Sequence, residues 1–276
     1  MTLERNNGRW GMGTESFGLP QKVRAIPASA RIHALLREQI IGMEIAPGTA
    51  LQEKQIALSC GVSRTPVREA ILKLADERLV DIFPQHGTFV SRISVPAMRD
   101  AMVIRQALEG AAVRGAAAIA DEAGIVRLQR LLAEQKATHD AGHLAAFHAT
   151  DEAFHQAIAE IAGHPNLWRV VRQEKAQVDR CRILSLPAAD RRLLVIADHA
   201  AIVEGIAAHD PDAAEAAMRH HLGAVMPVVS LMVERHPGYF EGLEAAPEIK
   251  AAPPANGAKS AAKTTTKTKT SRERKR

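Results

Sequence analysis

The sequence has few aromatic residues, few cysteines and no long apolar run. Only 3% of its 276 residues are aromatic although 46% are hydrophobic, a balance that favours helix over strand. Its two cysteines, Cys60 and Cys181, are far apart, so we expect free thiols in a reducing compartment. An apolar run of about eighteen residues is missing, which predicts no membrane-spanning helix. The first thirty residues carry no basic-then-apolar secretory pattern. We therefore expect a cytoplasmic protein.

The positive charge of the chain is concentrated at one end. The formal net charge is +5, and residues 250–276 alone hold nine basic residues and one acid, Glu273, for a local charge of +8. The other 249 residues therefore carry 5 − 8 = −3. A nucleic-acid interface in the folded part must consequently rest on local placement of charge rather than on the total.

Four segments differ in composition and patterning. A glycine-containing arm (1–28) precedes a compact mixed segment (29–94), long helical patterns (95–236) and a basic tail (237–276). The end of that tail is low-complexity, and we predict the whole of 237–276 to be disordered. The predicted fold class is mainly α: a winged helix-turn-helix domain followed by an all-α helical bundle.

The mixed segment has the element order of a winged helix-turn-helix. A first helix is predicted from apolar residues at helical spacing, namely Ile32, Leu35, Leu36, Ile40 and Met43. A second helix over 52–59 precedes Gly61, which suits a C-terminal cap. In the third helix, "SRTPVREAILKL", Ser63 or Thr65 can serve as the N-cap. "LVDIFP" and "GTFVSRI" predict two strands, with Gly87 at a tight turn.

Basic residues at the start of the third helix predict contact with DNA. Arg64 and Arg68 lie one turn apart and off the apolar stripe of that helix. A recognition helix presents its N-terminal residues to base edges, and arginine can hold guanine or phosphate with two hydrogen bonds. Thr65 and Lys54 are placed to meet the DNA backbone. Two arginines alone would be an ordinary solvated helix face, so the interpretation depends on the whole pattern.

The motifs "GVSRTPVREAILKLADERLV" and "PQHGTFVSRI" resemble the DNA-binding domain of the GntR family of bacterial transcription regulators. The resemblance covers about residues 30–93. It departs from the family pattern at Leu72, where a polar residue is usual, and at Arg78, where glycine is usual. The resemblance implies that operator DNA is contacted by residues of the second helix, the third helix and the wing, namely Lys54, Arg64, Thr65, Arg68, His86 and Gly87.

Four polar residues of the helical segment have spacing that suits a metal site. Asp151 and His155 in "DEAFHQAI" share a helix face at i and i+4. His199 and His221 are equidistant from the turn near "AHDP", so a helical hairpin would bring them together. Three imidazoles and a carboxylate can bind a divalent transition metal. Alternatively, the four residues line the bundle and hydrogen-bond to each other or to water.

The second segment is similar to the helical FCD effector domain of the FadR subfamily. The resemblance rests on "IRQALEGAAV", "DEAFHQAIAEIAGHPNL" and "DHAAIVEGIAAHDPDAAEAAM", and it covers about residues 95–230. It implies six helices, as in the VanR-like branch, near 96–119, 122–139, 143–162, 165–185, 189–208 and 211–235. It also implies that Asp151, His155, His199 and His221 bind zinc, nickel or manganese.

The resemblance further implies a ligand and a function. Arg105 matches an arginine that faces the pocket and would bind a small carboxylic acid effector, although it could equally be a surface partner of Glu109 at i+4. Arg180 and Arg182 are further candidates. The expected protein is a homodimeric, nucleoid-associated regulator of operator DNA, most simply a repressor, and no enzyme. The alternatives are a metal-sensing regulator, a metal-dependent enzyme and an architectural DNA-binding protein.

Overall fold

A computed structural model describes residues 26–243, which begin with a winged helix-turn-helix domain. Its elements are α1 (Ala28–Ile41), α2 (Glu53–Cys60), α3 (Arg64–Asp76), β1 (Val80–Phe83) and β2 (Gly87–Val90). The two strands pair antiparallel, with Val80 opposite Val90. The predicted fold class and element order are confirmed for this domain. The arm over residues 1–25 lies outside the described range.

The core of this domain is formed by one stripe from each of α1 and α3. The buried side chains on these two helices include Ile32, Leu36, Ile40, Val67, Ala70, Ile71 and Leu74. Two residues predicted on the stripe of α1 lie elsewhere. Leu35 is 46% exposed because α3 covers only the face of α1 that carries Ile32, Leu36 and Ile40. Met43 lies beyond the end of α1 and packs against the core of the second domain.

The turns of the domain use left-handed backbone conformations. Gly61 ends α2 at φ 65°, as its position predicted. In the wing, Gln85 takes the left-handed conformation at φ 65°, while Gly87 begins β2 at φ 120°. A Cβ atom on Gly87 would lie 3.3 Å from the ring of Phe89. The predicted turn is therefore present, with Gln85 inside it and Gly87 supplying the permissive backbone where it joins β2.

The second domain is all-helical, with two of the predicted helices each divided in two. Its helices are α4 (Val95–Ile119), α5 (Glu122–Asp140), α6 (Leu144–Ile161), α7 (Pro165–Glu174), α8 (Ala176–Ser185), α9 (Ala189–Ala207), α10 (Pro211–Gly223) and α11 (Val225–Arg235). The break at Lys175 separates α7 from α8, and the break at Ala224 separates α10 from α11. The predicted all-α bundle is confirmed, with eight shorter helices in place of six.

Residues 237–243 are ordered, which corrects the predicted start of the disordered tail. A 3-10 helix at Pro237–Tyr239 leads into β4 (Phe240–Glu241). This strand pairs in parallel with β3 (Ile93–Ser94), between β2 and α4. Phe240 is only 3% exposed, and burial of its ring explains why the chain stays packed here. The rest of the predicted tail, 244–276, lies outside the described residues.

The hairpin of α9 and α10 packs closely and is covered by α4. Gly205 on α9 faces Ala214 on α10, where an added Cβ would lie 2.7 Å from the Ala214 nitrogen. Within the described residues, Pro211–Arg235 is the one stretch long and apolar enough to cross a membrane by length and composition, a test that the core helix of a soluble protein also passes. Helix α10 packs on both α9 and α4, as a core helix does.

Substituting Gly205 by alanine is expected to destabilise the protein by about 1–3 kcal/mol, because the methyl group would force the backbones of α9 and α10 apart. Chemical denaturation should measure the loss as a lower midpoint at unchanged m-value. The matched control is Gly223→Ala at the end of α10, where nothing lies within 4 Å of an added Cβ. That control should be neutral or slightly stabilising. Equal effects at both positions would contradict the close packing.

Candidate metal centre and nucleic-acid interface

The four predicted metal ligands meet in the interior of the helical domain. Helix α6 supplies Asp151 and His155, while α9 supplies His199 and α10 supplies His221. One candidate ligand atom from each residue lies within 4.8 Å of the others, and all four residues are buried. The rings of His199 and His221 have centroids 4.7 Å apart, as the hairpin spacing predicted.

Four imidazole nitrogens in this cluster have no hydrogen-bond partner, namely Nδ1 of His155 and the Nε2 atoms of all three histidines. The Nε2 atoms of His155, His199 and His221 are each buried and unpaired. Those of His155 and His199 lie 3.9 and 3.7 Å from the carboxylate oxygens of Asp151. Buried polar atoms are rarely left unpaired, because removing them from water is costly. Convergent imidazole nitrogens beside a carboxylate have the chemistry that Zn²⁺ and similar ions need, so these residues fit a divalent transition metal.

The opposite nitrogen of each histidine faces an acceptor on a neighbouring helix. The Nδ1 atom of His155 lies 2.6 Å from Oε2 of Glu109, and that of His199 lies 2.9 Å from Oε1 of Gln135. The Nδ1 atom of His221 lies 3.3 Å from Oδ2 of Asp198. In His199 and His221 these contacts are hydrogen bonds, which keep the proton on Nδ1 and leave the Nε2 lone pair free for a ligand. The contact between His155 and Glu109 is close but lacks hydrogen-bond geometry.

Sequence reasoning missed these three partners, although two of them left a signal. Gln135 follows Leu128 and Leu131 on the buried stripe of α5, where a polar residue is unusual. Glu109 lies on the buried stripe of α4 in the same way. Polar residues at positions that the helical period assigns to the core are therefore the pattern that would have found them.

The electrostatics of the cluster favour the protonation states that bind a metal. Burial lowers the pKa of both His199 and His221 well below the ordinary value, so both imidazoles are neutral. Burial alone would raise the pKa of Asp151, but the Arg182 guanidinium outweighs it and holds that pKa well below normal. The site thus presents an ionised carboxylate at Asp151 and neutral imidazoles at His199 and His221.

Arg105 is buried beside the cluster and does not lie on the surface. Its Nε lies 2.6 Å from Oε1 of Glu109, so the i+4 pair weighed in the sequence exists, but with both side chains buried. Arg105 also lines a cavity of about 30 Å³, together with Arg182, Arg191 and His221. A cavity of that size holds roughly one or two water molecules.

The two other arginines suggested by the sequence point in different directions. Arg182 reaches the metal-ligand cluster, with an Nη atom 2.6 Å from Oδ1 of Asp151. Arg180, fully buried, points away from the cluster and donates to the backbone carbonyl of Ser91. Of the pair, only Arg182 is therefore positioned beside the candidate metal ligands.

The predicted DNA-binding residues lie on the surface of the first domain. All six are exposed, namely Lys54, Arg64, Thr65, Arg68, His86 and Gly87. The Arg64 side chain is 68% exposed and forms an ion pair of 2.7 Å with Glu53 on α2. Ser63 occupies the N-cap position of α3, where its side chain makes no capping hydrogen bond. The first turn of α3 thus presents its polar side chains to solvent.

Comparison with known proteins identifies the family. Residues 28–90 match the bacterial regulatory proteins of the gntR family, and residues 100–224 match the FCD domain. The chain is 35% identical over 214 residues to the HTH-type transcriptional repressor RspR of Escherichia coli, covering 78% of this chain and 94% of the relative. The chain belongs to the GntR family. Its members are transcription regulators and not enzymes, so the protein is a DNA-binding transcription regulator.

Other GntR-family relatives and solved structures agree with this assignment. An uncharacterised HTH-type regulator of Streptomyces ambofaciens is 37% identical over 209 residues, covering 76% of this chain and 88% of the relative. The solved structure of McbR/YncC of E. coli has a TM-score of 0.64 at 20% identity, covering 75% of this chain and 99% of that one. At that identity the likeness supports the fold of this GntR protein alone.

Proposed function

We propose that this GntR regulator is a repressor that holds a divalent metal and responds to a small carboxylic acid. The observation that carries the proposal is the convergence of three unpaired, buried Nε2 atoms on the carboxylate of Asp151. Asp151, His155, His199 and His221 would hold the ion, with zinc, nickel and manganese as candidates. A bound divalent ion would supply positive charge and open coordination positions for an acid.

The effector would bind where the metal ligands meet the arginine-lined cavity. Arg105 and Arg182 border this cavity, and arginine can grip a carboxylate with two hydrogen bonds. A sugar acid or hydroxy acid would suit a metal at one end and a guanidinium at the other. The cavity of about 30 Å³ is smaller than such an acid, so binding would require the cavity to widen.

DNA binding would use a homodimer in the cytoplasm. One winged helix reads a short half-site, and a two-fold dimer reads two of them. Lys54, Arg64, Thr65 and Arg68 would contact the groove and backbone, and the wing would add His86 and Gly87. Repression as the outcome is supported by the relative that is named a repressor.

Metal analysis and acid binding on the full-length protein test the proposal. We expect about one zinc, nickel or manganese ion per chain by mass spectrometry. At least one of gluconate, lactate and citrate should raise the melting temperature, and only in the metal-loaded protein. The same acid should lower affinity for an operator duplex selected from random DNA. Purified protein that takes up no metal would overturn the proposal.

The small size of the cavity favours one alternative, a regulator for which the metal itself is the signal. In that case operator affinity would follow the concentration of free metal, and none of the three acids would shift the melting temperature. The two functions therefore differ in a single measurement, since both require the same four ligands.

A further inference from the structure

Helix α8 contacts the DNA-binding domain directly with its first turns. Ala176 at its start is part of the hydrophobic core that α1 and α3 form. The Nε2 of Gln177 donates to the carbonyl of Arg78 at 2.9 Å, and an Nη of Arg180 donates to the carbonyl of Ser91 at 2.7 Å. A helix of the effector domain thus completes the packing of the winged helix-turn-helix domain.

The segment that α8 holds is the end of the proposed recognition helix α3. Arg78 stands two residues after α3 and has φ 58°, a conformation that residues other than glycine adopt rarely. Its carbonyl accepts from Gln177 and also from the hydroxyl of Ser91, at 2.8 Å. Arg78, which stands where the GntR pattern usually has glycine, therefore has a backbone carbonyl that is held by two hydrogen bonds.

The guanidinium of Arg180 is buried in this contact without an acid. Its other hydrogen bonds are to the side chains of Gln177 and Ser91, at 3.0 and 3.4 Å. Asp81 and Glu241 act on the guanidinium only at longer range: among the described residues no carboxylate forms an ion pair with Arg180, and its Nε has no partner. Burying a charge in this way is costly for the folded protein. A role in positioning the two domains relative to each other would explain why the Arg180 guanidinium is buried here.

The same short helix reaches the candidate metal centre. Arg182, two residues after Arg180, binds the Asp151 carboxylate at 2.6 Å. At the start of α8, Nζ of Lys175 lies 2.6 Å from Oε1 of Glu152, the residue next to Asp151, and 2.6 Å from Oδ1 of Asp179. Ion pairs therefore connect α8 to α6 at both ends of the first two turns of α8. A shift of Asp151 relative to these contacts would tilt or translate α8.

We propose that α8 couples the metal centre to the DNA-binding domain, with Gln177 and Arg180 as positioning residues that fix the end of α3. This inference rests on the proposed function, because it needs a metal at Asp151. A change at the Asp151 carboxylate would reach Arg182, then the body of α8, and then the backbone at Arg78 and Ser91. Coupling of this kind requires that the metal favour one position of α8 over another.

Gln177→Leu in the full-length protein tests the coupling, with Zn²⁺ alone as the probe. For the wild type we expect operator affinity to differ between the Zn²⁺-loaded and chelator-treated protein by about 5–150-fold. In Gln177→Leu that ratio should shrink by about threefold or more, while zinc stoichiometry stays at the wild-type value. By reciprocity, the effect of DNA on zinc affinity should shrink by the same factor. A purely structural role would lower the melting temperature without changing this ratio.

Two further variants make the result decisive. Ser91→Ala removes the hydroxyl bonded to Arg78 and should act like Gln177→Leu, which covers the case in which the latter fails to fold. Gln156→Leu is the matched control, because that glutamine donates to Glu160 within α6. A wild-type ratio of one, or an unchanged ratio in Ser91→Ala and Gln177→Leu, would overturn the coupling. The proposed function fails separately, if the wild type takes up no zinc, nickel or manganese.

Discussion

Replacing His199 by alanine is expected to abolish stoichiometric metal binding. His199 is fully buried on α9, and its Nε2 is one of the three unpaired nitrogens that face Asp151. Structural zinc sites with four ligands bind with about 10–16 kcal/mol, so one ligand accounts for roughly 3 kcal/mol, or about a hundredfold in affinity. Metal content after purification should fall from about one ion per chain to nearly none. The rise in melting temperature on adding Zn²⁺ should disappear with it.

The neighbouring histidine of α10 provides the control for this experiment. The side chain of His220 is 78% exposed and lies on a different face of α10 from His221. We expect His220→Ala to retain the metal content and the zinc-induced stabilisation of the wild type. If His199→Ala held as much metal as His220→Ala, the buried cluster would be a set of hydrogen-bonding core residues and the proposed site would be wrong.

Much of this cluster follows from local sequence patterns. The i, i+4 spacing of Asp151 and His155 fixes them on one face of α6, whatever the rest of the fold does. The equal distances of His199 and His221 from the turn at residues 208–210 predict their approach, because antiparallel helices of a hairpin place such positions side by side. Helix periodicity likewise located the core stripe of α3.

Features set by contacts between distant segments could not be predicted in this way. Glu109 and Gln135 belong to helices far from the histidines in sequence, so their roles appear only when α4 and α5 pack on α6 and α9. The break at Lys175 involves no proline or glycine, and the ion pairs of its side chain depend on α6. From the sequence, Phe240 belongs to the predicted basic tail, and its order becomes clear only from the pairing of β4 with β3.

Replacing Arg64 by alanine is expected to weaken binding to the cognate operator by about 1–3 kcal/mol, roughly 5–150-fold. Arg64 begins α3, and its exposed guanidinium forms its ion pair with Glu53 at the surface. Exposed pairs contribute little, about 0–1 kcal/mol, so breaking this one cannot account for the expected loss. The loss should instead reflect a guanidinium that holds a base edge. Competition binding against selected and random duplexes at fixed salt concentration measures it.

An arginine on α10 provides a matched control. The side chain of Arg219 is 72% exposed and pairs with Glu215 at 2.5 Å, so it resembles Arg64 in exposure and partner but lies on the helical domain. Arg219→Ala should leave both affinities unchanged. A base-reading role predicts that Arg64→Ala lowers operator affinity far more than affinity for random DNA. Equal losses on the two duplexes would instead assign Arg64 to a phosphate, since backbone contacts carry no sequence information.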